Sequence, residues 1–525
     1  MGSNQINFQN KSFATEILDK YTDNRDACNS FYQKLSESYS AIEPPTWALL
    51  LAQSCRSIGY KVNILDANAE NLSNEQILEK INMLKPRMLV LVVYGQNVNA
   101  GTANMRGAID VANFLKENKV KFPITFIGSH VQALPFETLK KEKNIDVVFT
   151  NEGVYALRNL LKLESFSSDN LKNIKGIGYR DGEKIIINLP EKVVPTERMD
   201  IDLPGYAWDL LPFKNKPLDL YRSPMWHAEY DFEKRSPYAS LQTSLGCVFK
   251  CDFCGSKQTM GLGYRKKSPE RCADEVEHAY NLGYRELILV DDIFTSDNKW
   301  AIQVCEAISR KNVKMAWTCT NGIRVDSADT ALFQAMKKAG CYRVHFGFES
   351  GNDRVLKEFG KGGKATLEQG LVAVKNARKA GLDTWGMYMV GLSSDTEETM
   401  QDTIDYSKQT PVDIIKYGIT VPFPGTPMFN EYFSKGLIKT LNWDDYNLYN
   451  DISPIFSHPR LSWETIQKYY KKAYVQTYYL NPGYILRRFW RGIKTGEFFL
   501  DMNGMRAIRG HVQNTGLSII QRIQE

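Results

Sequence analysis

The chain has 525 residues, 43% hydrophobic and 24% charged, so it is long enough to bury several cores without disulfide staples. Its 66 Lys and Arg against 60 Asp and Glu leave a formal charge of +6, spread along the chain, which excludes the massed basic face of a nucleic-acid binder. No apolar run is long enough to span a bilayer, and Met1 to Phe13 lacks the apolar core of a secretory signal. We therefore expect a cytoplasmic protein with no transmembrane segment and its nine cysteines held as thiols.

Residues 1–40 are polar and irregular and read as an N-terminal extension. From 41 to 171 helical and extended patterns alternate. Trp47 to Ser57 predicts a helix and Val62 to Asp66 a strand. Ser73-Asn74-Glu75-Gln76 has the form of a capping box opening the next helix. Met88 to Tyr94 is continuously apolar, as in a strand buried on both faces. A helix from Ala103 to Glu117 and strands at Pro123–Gly128 and Asp146–Thr150 follow. This alternation predicts an open parallel α/β sheet, whose ligands sit at the carboxyl ends of its strands. The loops there are Gly95-Gln96-Asn97, Gly128-Ser129-His130 and Asn151-Glu152-Gly153. Residues 172–237 read as a linker with a hairpin turning at Arg180-Asp181-Gly182-Glu183.

A second α/β run occupies 238–430. Its strands are expected at Tyr238–Leu245, Glu286–Asp291, Lys314–Thr320, Arg343–Glu349, Thr384–Val390 and Asp413–Val421, with a helical segment between each pair. Six such units at near-constant spacing predict a partial barrel of parallel strands with its site at their carboxyl ends. Residues 431–525 read as helical. The stretch Tyr484 to Phe499 mixes Arg487, Arg488 and Arg491 with Phe489, Trp490 and Phe498. The reading we adopt packs these aromatics on the barrel and leaves the arginines in water; the rival is contact with a membrane surface or a lipid-like substrate.

The chemistry is concentrated in Gly246-Cys247-Val248-Phe249-Lys250-Cys251-Asp252-Phe253-Cys254-Gly255, a Cys-x3-Cys-x2-Cys loop after the first barrel strand. Three thiolates hold three irons of a cubane and leave the fourth iron without a protein ligand. An amine and a carboxylate on a small molecule can chelate that iron. A structural zinc site would need a fourth ligand and a second Cys-x2-Cys hook, and neither accompanies this loop.

This loop, with Phe253 before its third cysteine, resembles the radical S-adenosylmethionine (SAM) superfamily. Val290-Asp291-Asp292-Ile293-Phe294, Gly347-Phe348-Glu349-Ser350-Gly351 and Val421-Pro422-Phe423-Pro424-Gly425-Thr426 resemble its later strand-end motifs. The resemblance implies a TIM-like partial (β/α)6 barrel carrying a [4Fe–4S] cluster on Cys247, Cys251 and Cys254. It implies SAM at Phe253, Gly255, Asp291, Arg324, Glu349, Ser350 and Pro422, with Glu349 on the methionyl amine and Arg324 near the carboxylate. The upstream sheet resembles the Rossmann-like cobalamin-binding domain fused to such enzymes. That resemblance implies cobalamin near Pro45, Asp66, Gly95, Gln96, Gly128, Ser129, His130, Glu152 and Gly153. The Asp-x-His-x-x-Gly motif that gives cobalt a histidine is absent, and the first strand of such domains is weak here, at Phe13 to Tyr21.

The implied reaction is reductive cleavage of SAM to a 5′-deoxyadenosyl radical, fed by an external flavodoxin- or ferredoxin-type donor. Cobalamin-dependent methylation of an unactivated carbon in a small or lipid-like substrate would follow. Relatives of this type also cyclise or rearrange substrates. A non-catalytic cluster or cobalamin sensor is the rival of a different class. A methylthiotransferase would need three further cysteines in its N-terminal domain, and only Cys28 and Cys55 lie upstream.

Overall fold

The computed structural model describes residues 42–94, 98–212, 221, 238–261, 263–361, 365–446 and 455–495. The expected N-terminal extension, the Phe13–Tyr21 segment, Gly95 and Gln96 lie outside them.

The first sheet runs β1 (Leu89–Val93), β2 (Ile124–Gly128), β3 (Val147–Phe149), β4 (Ile177–Asp181), β5 (Lys184–Ile187), side by side in that order. The first three strands are parallel and the last two turn antiparallel. Successive residues serve opposite faces, as a period of two dictates. Ile127, Val147 and Phe149 join one core with the helices Thr46–Arg56 and Val154–Leu161. Phe126 and Val148 join another with Asn74–Leu84 and Met105–Glu117. A sheet covered on both sides explains the continuous apolar run of β1. The Ser73 capping box forms as read.

Two expectations change here. Val62–Asp66 forms no strand and joins no ladder among the described residues. Val62 and Ile64 lean on one core and Leu65 on the other, so the alternation records burial against two cores rather than pairing. The hairpin assigned to a linker instead completes the five-stranded sheet, with Asp181 opposite Lys184 and Gly182 at φ 59°.

The second unit contributes β6 (Tyr238–Leu241), β7 (Ser244–Leu245), β8 (Arg265–Lys266), β9 (Glu286–Leu289), β10 (Ala316–Ile323), β11 (Cys341–Glu349), β12 (Asp383–Val390) and β13 (Ile414–Ile419). β6, β9, β10, β11, β12 and β13 stand in chain order, all parallel, as an open six-stranded sheet. Helices fill the crossovers. Ser268 caps Pro269–Leu282 by accepting the Arg271 amide at 3.2 Å, with proline at the first turn. The strand expected at Tyr238–Leu245 breaks after Leu241. Asp291 takes the Thr243 amide (2.7 Å) and both the Thr243 and Ser244 hydroxyls, which turns the chain and sends β7 to pair with β8. At the open edge, Ile42 accepts from the Tyr238 hydroxyl (3.3 Å) and Thr46 meets Ser240, so the entry to the first helix lies along β6.

The helices Pro427–Ser434, Trp463–Tyr474 and Pro482–Thr495 follow. No helix among the described residues is long and apolar enough to cross a membrane. The expected packing of the last helix is reversed in part. Arg491 is the side chain drawn in, onto Asp383 at 2.6 Å, while Phe489 and Trp490 face outward. A guanidinium that finds a partly buried carboxylate stays with the body of the protein, and the neighbouring Phe489 and Trp490 rings are left exposed.

Candidate active site

The cysteine loop is held by backbone hydrogen bonds to three separate elements. Gly246 enters it at φ 78° and gives its amide to Asp292 Oδ2 at 2.8 Å. A Cβ at Gly246 would stand 2.5 Å from the Gly263 carbonyl, so only glycine fits. The Asp252 amide donates to Phe359 O (3.1 Å), and the Met428 amide donates to Asp252 O (2.9 Å). Gly360, at φ 94°, lies so close that a Cβ there would meet the Lys250 carbonyl at 2.3 Å.

A fourth bracket comes from the other sheet. Asn99, in the turn beyond β1, donates its amide to Phe253 O at 3.1 Å and accepts the Gly255 amide at 2.9 Å. One side chain thus grips the peptide on both sides of Cys254. Nothing in the run Asn97-Val98-Asn99-Ala100 marks this residue in the sequence.

Cys247, Cys251 and Cys254 are all partly exposed thiols. Burial pushes Cys254 up to about 12, reinforced by Cys251, Asp292 and Cys247. Cys247 is also raised by burial, with Asp292 adding and Arg324 opposing. Deprotonating Cys247 and Cys254 together calls for compensating positive charge, which the irons of a cluster would provide. Among the described residues no three Cys, His, Asp or Glu side chains converge closely enough for one metal ion. A cubane binds its thiolates at separate corners, so the donor set fits a cluster.

The residues read as SAM-binding gather at the carboxyl ends of the six-stranded sheet, with unequal freedom. Arg324 forks onto Asp326 (2.9 and 2.7 Å) and stacks 3.6 Å over the Phe249 ring of the cysteine loop. Glu349 ends β11 in the left-handed region at φ 55°, beside a register shift against β12. Its carboxylate folds back over Gly347, where a Cβ would meet Oε1 at 2.4 Å. Backbone strain of this kind is held by its surroundings and clusters at functional positions. Phe253 sets its ring 5.6 Å from Phe359. Pro422 is buried in the loop after β13, and Gly255 is buried under Asn99. Asp291 and Ser350, by contrast, are structural. Burial raises Asp291 to about 6, and its carboxylate braces Thr243 and Ser244. The Ser350 hydroxyl accepts the Asn352 amide (3.2 Å) beside Thr403.

At the five-stranded sheet the residues read as cobalamin-binding are mostly taken up by the fold. Pro45 precedes the first helix as its cap. Asp66 accepts from Ala69 N (3.1 Å) and the Tyr221 hydroxyl (2.9 Å). His130 sets Nδ1 3.0 Å from Thr102 Oγ1 and its ring 4.9 Å from Trp443; burial first, then Lys141, lowers it to about 3. Glu152 pairs with Arg265 Nη2 at 2.8 Å and accepts the Val194 amide at 2.6 Å, and both charged side chains are buried. Gly128 and Gly153 have no space for a Cβ, which would meet Val93 O and Ile127 Cδ1, each at 2.2 Å; Ser129 is buried against Gly101. Sequence reasoning missed Tyr94 and Gln132, which meet at 2.5 Å at the end of β1. His130 Nε2 and Gln132 Oε1 are buried at this end of the sheet without a hydrogen-bond partner. Two orphaned polar atoms at the strand ends of a parallel sheet suit a polar ligand laid there.

Residues 241–407 match the radical SAM superfamily and residues 34–161 the B12 binding domain. The chain is 30% identical over 462 residues to an uncharacterized methyltransferase, PH0819, of Pyrococcus horikoshii, covering 86% of this chain and 93% of that protein. It is 25% identical over 429 residues to the anaerobic magnesium-protoporphyrin IX monomethyl ester cyclase of Cereibacter sphaeroides, covering 80% of this chain and 64% of the relative. The radical S-adenosylmethionine methyltransferase TsrM from Kitasatospora setae superposes with a TM-score of 0.61 at 17% identity, over 75% of this chain and 73% of that one.

Proposed function

Because this chain belongs to the radical S-adenosylmethionine enzymes that carry a cobalamin-binding domain, we propose that it methylates an unactivated carbon of a small-molecule substrate. The observation that carries this reading is the Asn99 bracket, which sets the strand ends of one sheet directly on the cysteine loop of the other. When bound, the cluster supplies the electron that cleaves SAM, and cobalamin supplies a transferable methyl group.

The chain's own residues then have separable tasks. Cys247, Cys251 and Cys254 hold the cluster and leave one corner open. Glu349, turned into a conformation only its surroundings can hold, accepts the methionyl ammonium. Arg324, fixed by Asp326 and stacked on Phe249, places positive charge beside the loop for the carboxylate. Gly128 and Gly153 let the strand ends of the first sheet pack closely on Val93 and Ile127, beneath the atoms that would face its ligand. Phe253, Phe359 and Pro422 line this region with apolar surface, which keeps water from a reactive carbon centre. A reduced flavodoxin or ferredoxin type of protein serves as electron donor.

The test is anaerobic purification with cobalamin supplied, followed by incubation with a reductant and methyl-labelled SAM. We expect bound iron, cobalamin absorbance, 5′-deoxyadenosine and label on cobalamin. Cys251→Ala should lose iron and all 5′-deoxyadenosine. A cluster-replete protein that makes no 5′-deoxyadenosine overturns the enzymatic reading in favour of a sensor. Label that never reaches cobalamin, with 5′-deoxyadenosine still formed, turns the assignment toward the cyclase type of chemistry.

A further inference from the structure

The helix Pro482–Thr495 has two unlike sides. Tyr484 and Gly492 are buried, the Tyr484 ring stands 4.9 Å from Tyr478, and Arg491 reaches Asp383 at 2.6 and 2.7 Å. These contacts seat the helix on the body of the protein. The opposite side carries Ile485, Leu486, Phe489, Trp490 and Ile493 at helical spacing, and all are exposed, Trp490 at 66%. The preceding turn extends the stripe with exposed Tyr479 and Leu480. A soluble surface rarely carries so many large apolar side chains in one continuous run.

Its setting is basic. No Asp or Glu occurs from Thr465 to Thr495, while Lys and Arg recur throughout. Exposed Lys494, in the last turn, flanks the apolar stripe on one side. Two copies of this face would bring like charges together. An anionic bilayer surface complements it: acyl chains receive the aliphatic residues, the headgroup boundary suits Trp490, and lipid phosphates meet Lys494. The position is also informative. Asp383 opens β12 and Ile415, whose carbonyl accepts from Tyr478, lies near the start of β13. The stripe therefore sits toward the amino ends of the parallel strands, away from the cysteine loop at their carboxyl ends, which makes it an attachment surface rather than a substrate mouth.

We propose that the helix Pro482–Thr495 docks the enzyme peripherally on membranes containing anionic lipid, lying in the interface plane with Leu486, Phe489, Trp490 and Ile493 inserted.

The test is flotation of the full-length protein with vesicles of phosphatidylcholine alone and of phosphatidylcholine with phosphatidylglycerol. We expect binding to the anionic vesicles only, weakened by salt. The pair Phe489→Ser and Trp490→Ser should weaken it by more than about tenfold without altering the unfolding midpoint, because both side chains are exposed. Lys494→Gln, which removes no packing, should cost about fivefold. Failure of the wild-type chain to float with either vesicle overturns the proposal, as does equal binding to both or wild-type binding by the serine variant. A stripe that instead joins two copies would show as a halved mass in the serine variant with no vesicle binding. A stripe covered by residues 496–525 would show as vesicle binding that appears only when they are removed. Either result also overturns it.

Discussion

The carboxyl ends of the two sheets were legible to very different degrees. At the six-stranded sheet, three cysteines at fixed spacing name their own chemistry, and the fold braces the loop around them. At the five-stranded sheet, the polar residues that strand-end reasoning selects are largely consumed: Asp66 by Tyr221, Glu152 by Arg265, His130 under Trp443. A strand end is where ligands bind, but it is also where two units meet, and a single sequence does not separate a residue that faces a ligand from one that faces a neighbour.

The sharpest way to test this contrast is the buried pair. Arg265→Met leaves the Glu152 carboxylate enclosed without its counter-charge and should cost about 3–5 kcal/mol in guanidinium unfolding. The double variant Glu152→Gln with Arg265→Met should recover most of that loss. If Arg265→Met is neutral, Glu152 is not an internal brace, and its assignment to a ligand regains force.

Asn99→Ala acts on the junction itself. It strips partners from Phe253 O and Gly255 N and should cost about 1–3 kcal/mol. The readout is alkylation of Cys254 in the cluster-free protein, expected to be faster than in the wild type. An unchanged rate would mean that the loop keeps its shape without the other sheet.

The smallest effect concerns His130. Its folded value is lowered to about 3 from the usual 6.5, so the unfolded chain binds a proton first as pH falls. This histidine's contribution is present above pH 6.5 and drains away on acidification toward 3. From pH 7 to pH 5.5 it should amount to about 1 kcal/mol, measured as the difference in unfolding free energy between wild type and His130→Phe across that interval. Parallel profiles would place His130 in a hydrated setting, open to a ligand.

Much of the architecture followed from periodicity and caps: the helix opened by the Ser73 box, the proline start after Ser268, and the six parallel strands in chain order. Where expectation failed, the cause was a long-range contact. Val62–Asp66 has the alternation of a strand without a partner ladder. The Tyr238–Leu245 run breaks because Asp291, about fifty positions later, captures Thr243 and Ser244. Asn99 was invisible because its role is to bond backbone atoms, which every residue has, on a loop more than a hundred and fifty positions away. The last helix was misjudged because periodicity reveals two faces but not which one the body of the protein will claim.

The Asn99 bracket and the Glu152–Arg265 pair have a mechanical consequence. A junction pinned at separated points transmits displacement and resists rotation. Whatever shifts at the strand ends of the first sheet reaches the thiols as a tug on the two peptides beside Cys254, not as a swing of one domain over the other. Both contacts would have to break before the two sheets could part.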